Sequence, residues 1–374
     1  MKLLINTSNI KKSGALQVTL SFLEEIKHNR NHLFVVVLSD AVEAQIDKKN
    51  FGDNFKFYTL SLITPFRKSF KEYLRKMHAI ENNFKPDCVF SVFAPTYWTP
   101  NAPHLSGFAY PWNINPDSKF IQHLPLKTKI KNTIENYFKN YYFKRNSEYF
   151  VTETEDVKQR LSNYIGIKPE YIFVVGNTYN QYFANKYISS NIKLRERQEH
   201  EFRIVTLSSN FAHKNLAIIA EVNRILKEKK GYKNIYFYLT INDKNYKTMF
   251  YDENIMNLGI VKASDCPAIY TQCDAMLLPT FLECFSASYP ESMIMGKPIL
   301  TSDLDFAHDI CQDAALFFDP LNPEDIADKI ISLMKDKNLY NSLVEKGYMR
   351  VKDFPTATER ANRYIQICEK ISNK

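Results

Sequence analysis

Apolar and polar positions along the chain fall into two successive series of short buried strands and amphipathic helices. In the first series, Lys2 to Asn6 is a short apolar strand, and Thr7 to Gly14 a polar loop. Val18, Leu20, Phe22, Leu23 and Ile26 then recur at helical spacing. Leu33 to Leu38 is an unbroken apolar run that suits a buried strand. Residues 65–83 predict a basic helix with Phe70, Leu74 and His78 on one side, and Asp87 to Phe93 another strand. Ala94 to Asp117 holds Pro95, Pro100, Pro103, Pro111 and Pro116 and reads as loop. A long basic, aromatic helix over 124–146 follows. Next come a strand at Tyr149 to Thr152, a helix at Glu155 to Tyr164 and a strand at Tyr171 to Val175.

Residues 184–200 are polar without an apolar face and read as a linker. The second series has strands at Arg203–Leu207, Ile235–Thr240, Ala275–Leu278, Pro298–Thr301 and Ala315–Phe318. Its helices fall at Asn215–Lys227, Cys266–Cys273, Tyr289–Met295, 323–335, 338–348 and about 355–371. Strands alternating with helices imply parallel sheets. Two series around a linker predict an α/β chain of two doubly wound domains. Ligands of such domains sit at the carboxyl ends of the strands, so the expected site is the cleft between them. The expected division is 1–185 for the first domain, 186–200 for the linker and 201–354 for the second domain. A last helix, 355–374, is expected to pack back on the first domain.

Composition narrows the class. With 374 residues, 45% hydrophobic and 24% charged, the chain is ordinary for a globular protein and poor in disorder signals. No apolar run approaches the roughly 20 residues of a spanning helix. The start turns polar too soon for a signal peptide, and the six Cys show no C-x-x-C pair. Both features suit a cytoplasmic protein with reduced thiols. The net charge of +8 is uneven. Residues 1–183 hold 24 Lys and Arg against 16 Asp and Glu, whereas 184–374 hold 25 of each. An excess confined to the first half is either an ordinary basic surface or one that meets an anionic membrane or polymer.

Several activities lose their motif. There is no G-x-G-x-x-G after either first strand, no G-x-x-x-x-G-K-[ST] and no G-x-S-x-G. Asp303-Leu304-Asp305 is a D-x-D, too common by chance to predict a metal. The informative stretch starts at Pro279. A strand ends there, a loop carries Glu283, and a helix opening near Ser288 carries Glu291 in its first turn. Gly296 ends that helix. Amides of Phe285 to Ser288 at a helix N-terminus suit a phosphate or diphosphate. Glu291 is equally explained as a dipole-favourable acid.

The Glu283-x7-Glu291 spacing, in the run Glu283-Cys-Phe-Ser-Ala-Ser-Tyr-Pro-Glu291-Ser-Met-Ile-Met-Gly296-Lys-Pro298-Ile-Leu-Thr-Ser, resembles retaining glycosyltransferases of the GT-B fold, family 4 (group 1) type. That family reads E-G-F-G-x-x-x-x-E-A-M-A-x-G-x-P-V-I-A-S at this point. Asp313-Ala-Ala-Leu-Phe-Phe-Asp319-Pro320 is similar to its G-D-A-A-L-x-F-D-P, with Asp309 where it has Glu. Ser209-Asn-Phe-Ala-His213-Lys214-Asn215 resembles R-x4-K-[GN]. Asn257-Leu-Gly259-Ile-Val261 resembles F-L-G-x-V, and Tyr171 to Asn177 resembles I-x-V-V-P-N-G. Ser13-Gly14-Ala15 stands where the family has a Gly-rich loop.

The resemblance implies a GT-B fold of two Rossmann-like domains facing a cleft, with the acceptor on the first and a nucleotide-sugar donor on the second. It implies that Lys214 pairs with the donor diphosphate, Glu283 contacts the donor sugar, and Glu291 holds the ribose. Amides of Phe285, Ser286 and Ala287 would receive phosphate, Gly259 and Val261 would border the base, and Gly14 would leave room for the leaving group. Lys214 and Glu283 are the implied catalytic pair. Ser209 replaces the family Arg, so one diphosphate cation is missing unless His213 or another residue substitutes. Cys284 and Ser286 replace its two Gly. Tyr97, Trp98, His104, Tyr110 and Trp112 are the acceptor candidates, either stacking on sugar rings or packing under loops.

The basic aromatic segment 119–145 is either a solvated face or a peripheral membrane contact on the inner face of the membrane. The implied activity is retaining sugar transfer to a saccharide or lipid-linked saccharide in bacterial surface-polysaccharide synthesis. A UDP-sugar is preferred because such donors are common, and no metal, cofactor or nucleic acid is expected. Alternatives are a GT-B nucleotide-sugar epimerase or a catalytically weak carbohydrate- or membrane-binding protein.

Overall fold

The computed structural model describes residues 1–116, 118–122, 124–184 and 192–373. They form two compact units. One comprises 1–117, 121–177 and 355–374, and the other 118–120 and 178–354. The first is built on β1 (Lys2–Thr7), β2 (Leu33–Leu38), β3 (Phe55–Thr59), β4 (Cys88–Ser91), β5 (His104–Gly107), β6 (Tyr149–Thr152) and β7 (Ile172–Val174). The second is built on β8 (Phe202–Thr206), β9 (Ile235–Leu239), β10 (Ile255–Asn257), β11 (Ala275–Leu278), β12 (Ile299–Ser302) and β13 (Ala315–Phe318).

Every strand pair is parallel. The orders are β3-β2-β1-β4-β5-β6-β7 and β10-β9-β8-β11-β12-β13. Counted from its own first strand, the second reads 3-2-1-4-5-6, the doubly wound arrangement, and the first reads the same with a seventh strand added. The strand order reverses between β1 and β4 in one unit and between β8 and β11 in the other. The central strands are apolar and buried on both faces, as Leu33-Phe-Val-Val-Val-Leu38 shows with only Leu33 exposed.

Differences from the sequence expectation have physical reasons. β3 is an edge strand whose Phe55-Lys-Phe-Tyr-Thr is only half-buried, so it lacks the apolar run of its neighbours. β5, inside the Pro-rich stretch, is four residues of His-Leu-Ser-Gly that bury completely between β4 and β6. The basic helix is Phe70–Phe84, and its buried face is Tyr73, Met77 and Ile80 rather than Phe70, Leu74 and His78. Tyr73 can turn inward because Ser8 Oγ lies 3.1 Å from its hydroxyl. The expected helix from Asn215 is Ile218–Arg224, prolonged by a π turn to Lys229.

The units divide at 177–178 rather than at 185. Residues 185–191 of the expected linker lie outside the described residues. The described remainder is tied to the second unit. Arg195 pairs with Glu201, Arg197 Nη1 lies 3.0 Å from Asp274, and Leu194 N donates to Gln272 at 2.9 Å. The C-terminal helix Ala357–Ser372 opens with a Thr356–Glu359 capping box and belongs to the first unit. Tyr364, Ile365 and Cys368 join Phe22 and Phe90 in its core, with Phe90 and Tyr364 ring centroids 5.1 Å apart. Arg360, fully buried on this helix, donates to Ser21 Oγ at 2.8 Å and to Asn177 Oδ1. Asn177 in turn donates to Glu153 at 2.6 Å. None of the described helices is long and apolar enough to cross a membrane.

Candidate functional site

In the second unit, the two loops that leave the switch point are the one after β8 and the one after β11. The first, Leu207 to Lys214, ends in a 3-10 turn Ala212–Lys214. Asn215 stops that turn in the left-handed region, at φ 53°, and its amide donates to Pro320 O at 2.8 Å. The second runs from Pro279 to the helix Ser288–Ile294. Hydrogen bonds join the two loops. Phe281 N and Thr280 Oγ1 both donate to His213 O, at 2.7 and 3.2 Å, and Ser288 Oγ donates to Leu207 O at 3.3 Å. Sequence reasoning missed Thr280 and named Ser288 only for its amide, since a lone hydroxyl at a strand end or a helix start carries no distinctive signal.

This connection brings Lys214 and Glu283 together, and their side chains form an ion pair. Glu283 is buried at 8% exposure and the lysine is nearly so. With so little water around the pair, each charge depends on the other for its solvation. Glu291, eight residues on, lies in the first turn of the helix. Its half-buried carboxyl has no cation against it among the described residues. Burial raises its pKa from the ordinary carboxylate range to about 7, with the thiol of Cys266 and the hydroxyl of Tyr270 nearby. A carboxyl held short of water and of cations can accept hydroxyl donors.

The amides of Phe285, Ser286, Ala287 and Ser288 precede the first helical bond, Tyr289 N to Ser286 O at 3.1 Å. Ser286 is buried, and Phe285 packs edge-on against Phe354 at 5.8 Å. After β10, Gly259 takes φ 71°, a backbone that glycine suits, with no protein atom within 4 Å of an added Cβ. Val261 packs with Phe285 and Leu207 on one core cluster. Ser209 belongs to the same loop as Lys214, and its carbonyl accepts from Phe211 N at 2.9 Å.

His213 does not supply the missing cation. Burial and the adjacent Lys214 charge push its pKa down to about 4, so it is neutral at pH 7. Its ring stacks on Phe211 with centroids 5.7 Å apart. Gly296 ends the Ser288–Ile294 helix at φ 63°, with Tyr348 Oη at 2.2 Å from where a Cβ would stand. Asp303 is 2.5 Å from His308 Nε2, and Asp305 opens a separate short helix, so the D-x-D forms no joint ligand set. Asp309 lies on that helix, its carbonyl accepting from Arg350 at 3.1 Å.

In the first unit, Gly14 falls within the first turn of the helix Ser13–Ile26, exposed and open around its Cα. The loops after β1 and β4 meet where Asn9 Nδ2 donates to Phe93 O at 2.7 Å. Two acceptor candidates are corrected. Trp98 is wholly buried among Tyr73, Met77 and Ile80, its Nε1 3.4 Å from His78 Nδ1. His104 is buried in β5, where Ser91 Oγ lies 2.8 Å from Nε2 and Nδ1 meets Asn146 O. Burial pushes its pKa to about 4. Neither side chain offers a surface to a ligand. Tyr97, Tyr110 and Trp112 are half-buried. Tyr97 has φ 56° and packs edge-on against Tyr142 at 4.7 Å, and Lys139 Nζ lies 4.9 Å over the Tyr110 ring.

Known proteins match this architecture. In solved structures, 99% of the chain superposes on all of Anabaena HepE in complex with UDP-glucose, at TM-score 0.73 and 12% identity. Sucrose-phosphate synthase of Thermosynechococcus elongatus gives 0.74 at 12%, covering 99% of both chains. WaaG, a glycosyltransferase involved in lipopolysaccharide biosynthesis, gives 0.72 at 11%, covering 98% and 99%. The fold is therefore GT-B. In sequence, the chain is 19% identical over 259 residues to the O-antigen chain mannosyltransferase RfbU of Salmonella typhimurium. That match spans 67% of this chain and 61% of RfbU. Residues 190–350, which lie in the second unit, match the model of the glycosyl transferases group 1 family.

Proposed function

We propose that this protein is a retaining glycosyltransferase that moves a sugar from a nucleotide-diphosphate donor to a saccharide or lipid-linked saccharide. Its setting would be the synthesis of a bacterial surface polysaccharide, on the cytoplasmic side of the membrane. One observation carries the reading. At the switch point of the second sheet, Lys214 and Glu283 are paired, and Glu291 stands on the same loop-helix segment without a cation against it among the described residues.

In this reading Lys214 binds the donor diphosphate and stabilises the charge that grows on it as the sugar leaves, helped by the amides of Phe285 to Ala287. Glu283 holds the donor-sugar hydroxyls and is drawn from Lys214 toward them. Glu291 accepts from the ribose hydroxyls, Gly259 and Val261 border the base, and Ser209 lies beside the phosphates. The departing diphosphate oxygen takes the acceptor proton on the face where the new bond forms, which retains the anomeric configuration. The two carboxylates bind and do not act as a glycosidase pair. No metal is required, because Lys214 supplies the cation. A UDP-sugar is the favoured donor, in line with the HepE complex. Tyr97, Tyr110 and Trp112 are the acceptor-side candidates.

The test is incubation of the full chain with UDP- and GDP-sugars and lipid extract, followed by proton NMR of the product. Acceptor-dependent nucleotide release with the donor's anomeric configuration is expected. An inverted product, or a free C2-epimerised sugar made without acceptor, would overturn it.

A further inference from the structure

A soluble helix normally buries its apolar side. The helix Leu126–Asn146 does the reverse. Leu126, Ile130, Ile134, Tyr137 and Tyr141, spaced four, four, three and four, share one face, and each is between 51% and 74% exposed. Thr128, Lys129, Asn132, Asn136, Lys139 and Asn140 are half-buried and polar, Tyr142 is half-buried, and only Phe143 and Asn146 at the far end are buried. The first unit buries Phe143 against Phe108 and Phe150 and packs Tyr142 beside Tyr97, both near the end of this helix, so the exposed stripe itself is not explained by folding.

Charge says what covers it. The helix carries six basic residues and one acid, Glu135, which lies 3.8 Å from Lys131. Lys127, Lys131 and Arg145 flank the stripe, and Lys144 extends from it. A second segment adds to the same surface. Phe66, 79% exposed, packs edge-on against Phe138 at 5.6 Å, and Arg67 and Lys68 beside it are exposed. A stripe of Ile, Leu and Tyr edged by long basic side chains fits the boundary of an anionic bilayer. The apolar residues enter the acyl region, the tyrosines sit at headgroup depth, and the lysines reach the phosphates. A protein partner would need matching acids, whereas a lipid surface supplies them uniformly.

We propose that the exposed stripe of Leu126–Asn146, with Phe66 and its two basic neighbours, is a platform that lies in the headgroup layer of an anionic lipid membrane. This deepens the membrane part of the proposed function and stands without the transfer chemistry. The test is co-sedimentation of the full chain with phosphatidylethanolamine–phosphatidylglycerol vesicles and with phosphatidylcholine vesicles. The protein should bind the first, release with added salt, and bind the second far less. The double variant Ile130→Glu/Ile134→Glu should lose about tenfold or more of the partition while its melting temperature is kept. Tyr137→Ala, a milder change, should lose part of it. Unchanged binding of the double variant would overturn the proposal. So would light scattering that shows a dimer which the double variant dissociates, since a second copy would then cover the stripe. Nucleotide binding read on the same samples tests the transfer reading separately, and its failure would leave the vesicle result standing.

Discussion

Lys214 and Glu283 come from loops 69 residues apart in sequence and meet as a nearly buried ion pair. Each is the other's partner, so removing one leaves a charge short of both water and counter-ion. Lys214→Ala should therefore lower unfolding stability by about 1–3 kcal/mol. The pair Lys214→Ala/Glu283→Gln should cost less than the two single changes summed. A double-mutant cycle by denaturant unfolding reads this directly. Additive single effects would mean the two side chains do not interact in solution.

Glu291 predicts a pH dependence. Its folded pKa, about 7, is above the ordinary carboxylate value, so the folded state binds the proton more tightly than the unfolded chain. Stability from this group is present at acid pH and falls as pH rises from the unfolded value through about 7. Glu291→Gln should be more stable than the parent above pH 7, by about 1–2 kcal/mol, and lack that part of the slope. Nucleotide affinity should move the other way, strengthening as the carboxyl ionises. Melting curves and titrations across this range check both, and parallel slopes for parent and variant would contradict the assignment.

The neutral state of His213 leaves the diphosphate position of the proposed function with one cation on this loop, Lys214. Ser209→Arg should raise nucleoside-diphosphate affinity about tenfold, because a guanidinium adds a charge-assisted hydrogen bond. Calorimetric titration measures it, and unchanged or weaker binding would place the phosphates elsewhere.

Arg360 ties the C-terminal helix to the first unit through Ser21 and Asn177. Arg360→Met keeps the stem and removes the donors, stranding two buried acceptors. A loss of about 2–4 kcal/mol is expected in denaturant unfolding, against near-neutrality if the helix is held by Tyr364, Ile365 and Cys368 alone.

The loop and helix from Glu283 to Gly296 were readable because their signals are local. Glu283, Glu291 and Gly296 lie within one loop and helix, and Gly296 ends that helix where the family's glycine would. The parts that escaped depend on contacts between distant segments. Phe70, Leu74 and His78 are as regularly spaced as Tyr73, Met77 and Ile80, and the latter face is buried through contacts with distant segments, Leu4, Val35 and Val89 in the core and Ser8 at the Tyr73 hydroxyl. That same buried face takes up Trp98, an aromatic that the sequence placed at the acceptor. His104 reads as loop in a Pro-rich stretch, yet its neighbours on β4 and β6 make it core. Arg360 offered no signal at all, since a basic residue on a terminal helix is ordinarily solvated. The inverted face of Leu126–Asn146 was visible as composition but not as direction.

The central claim is that the second unit binds a nucleotide-sugar donor through Lys214, and the most direct measurement is a thermal-shift panel of UDP, GDP, TDP, ADP and CMP on the parent protein and on Lys214→Ala. The account predicts stabilisation by a nucleoside diphosphate, UDP first, that the variant loses. Stabilisation that survives Lys214→Ala, or none with any nucleotide, would contradict it.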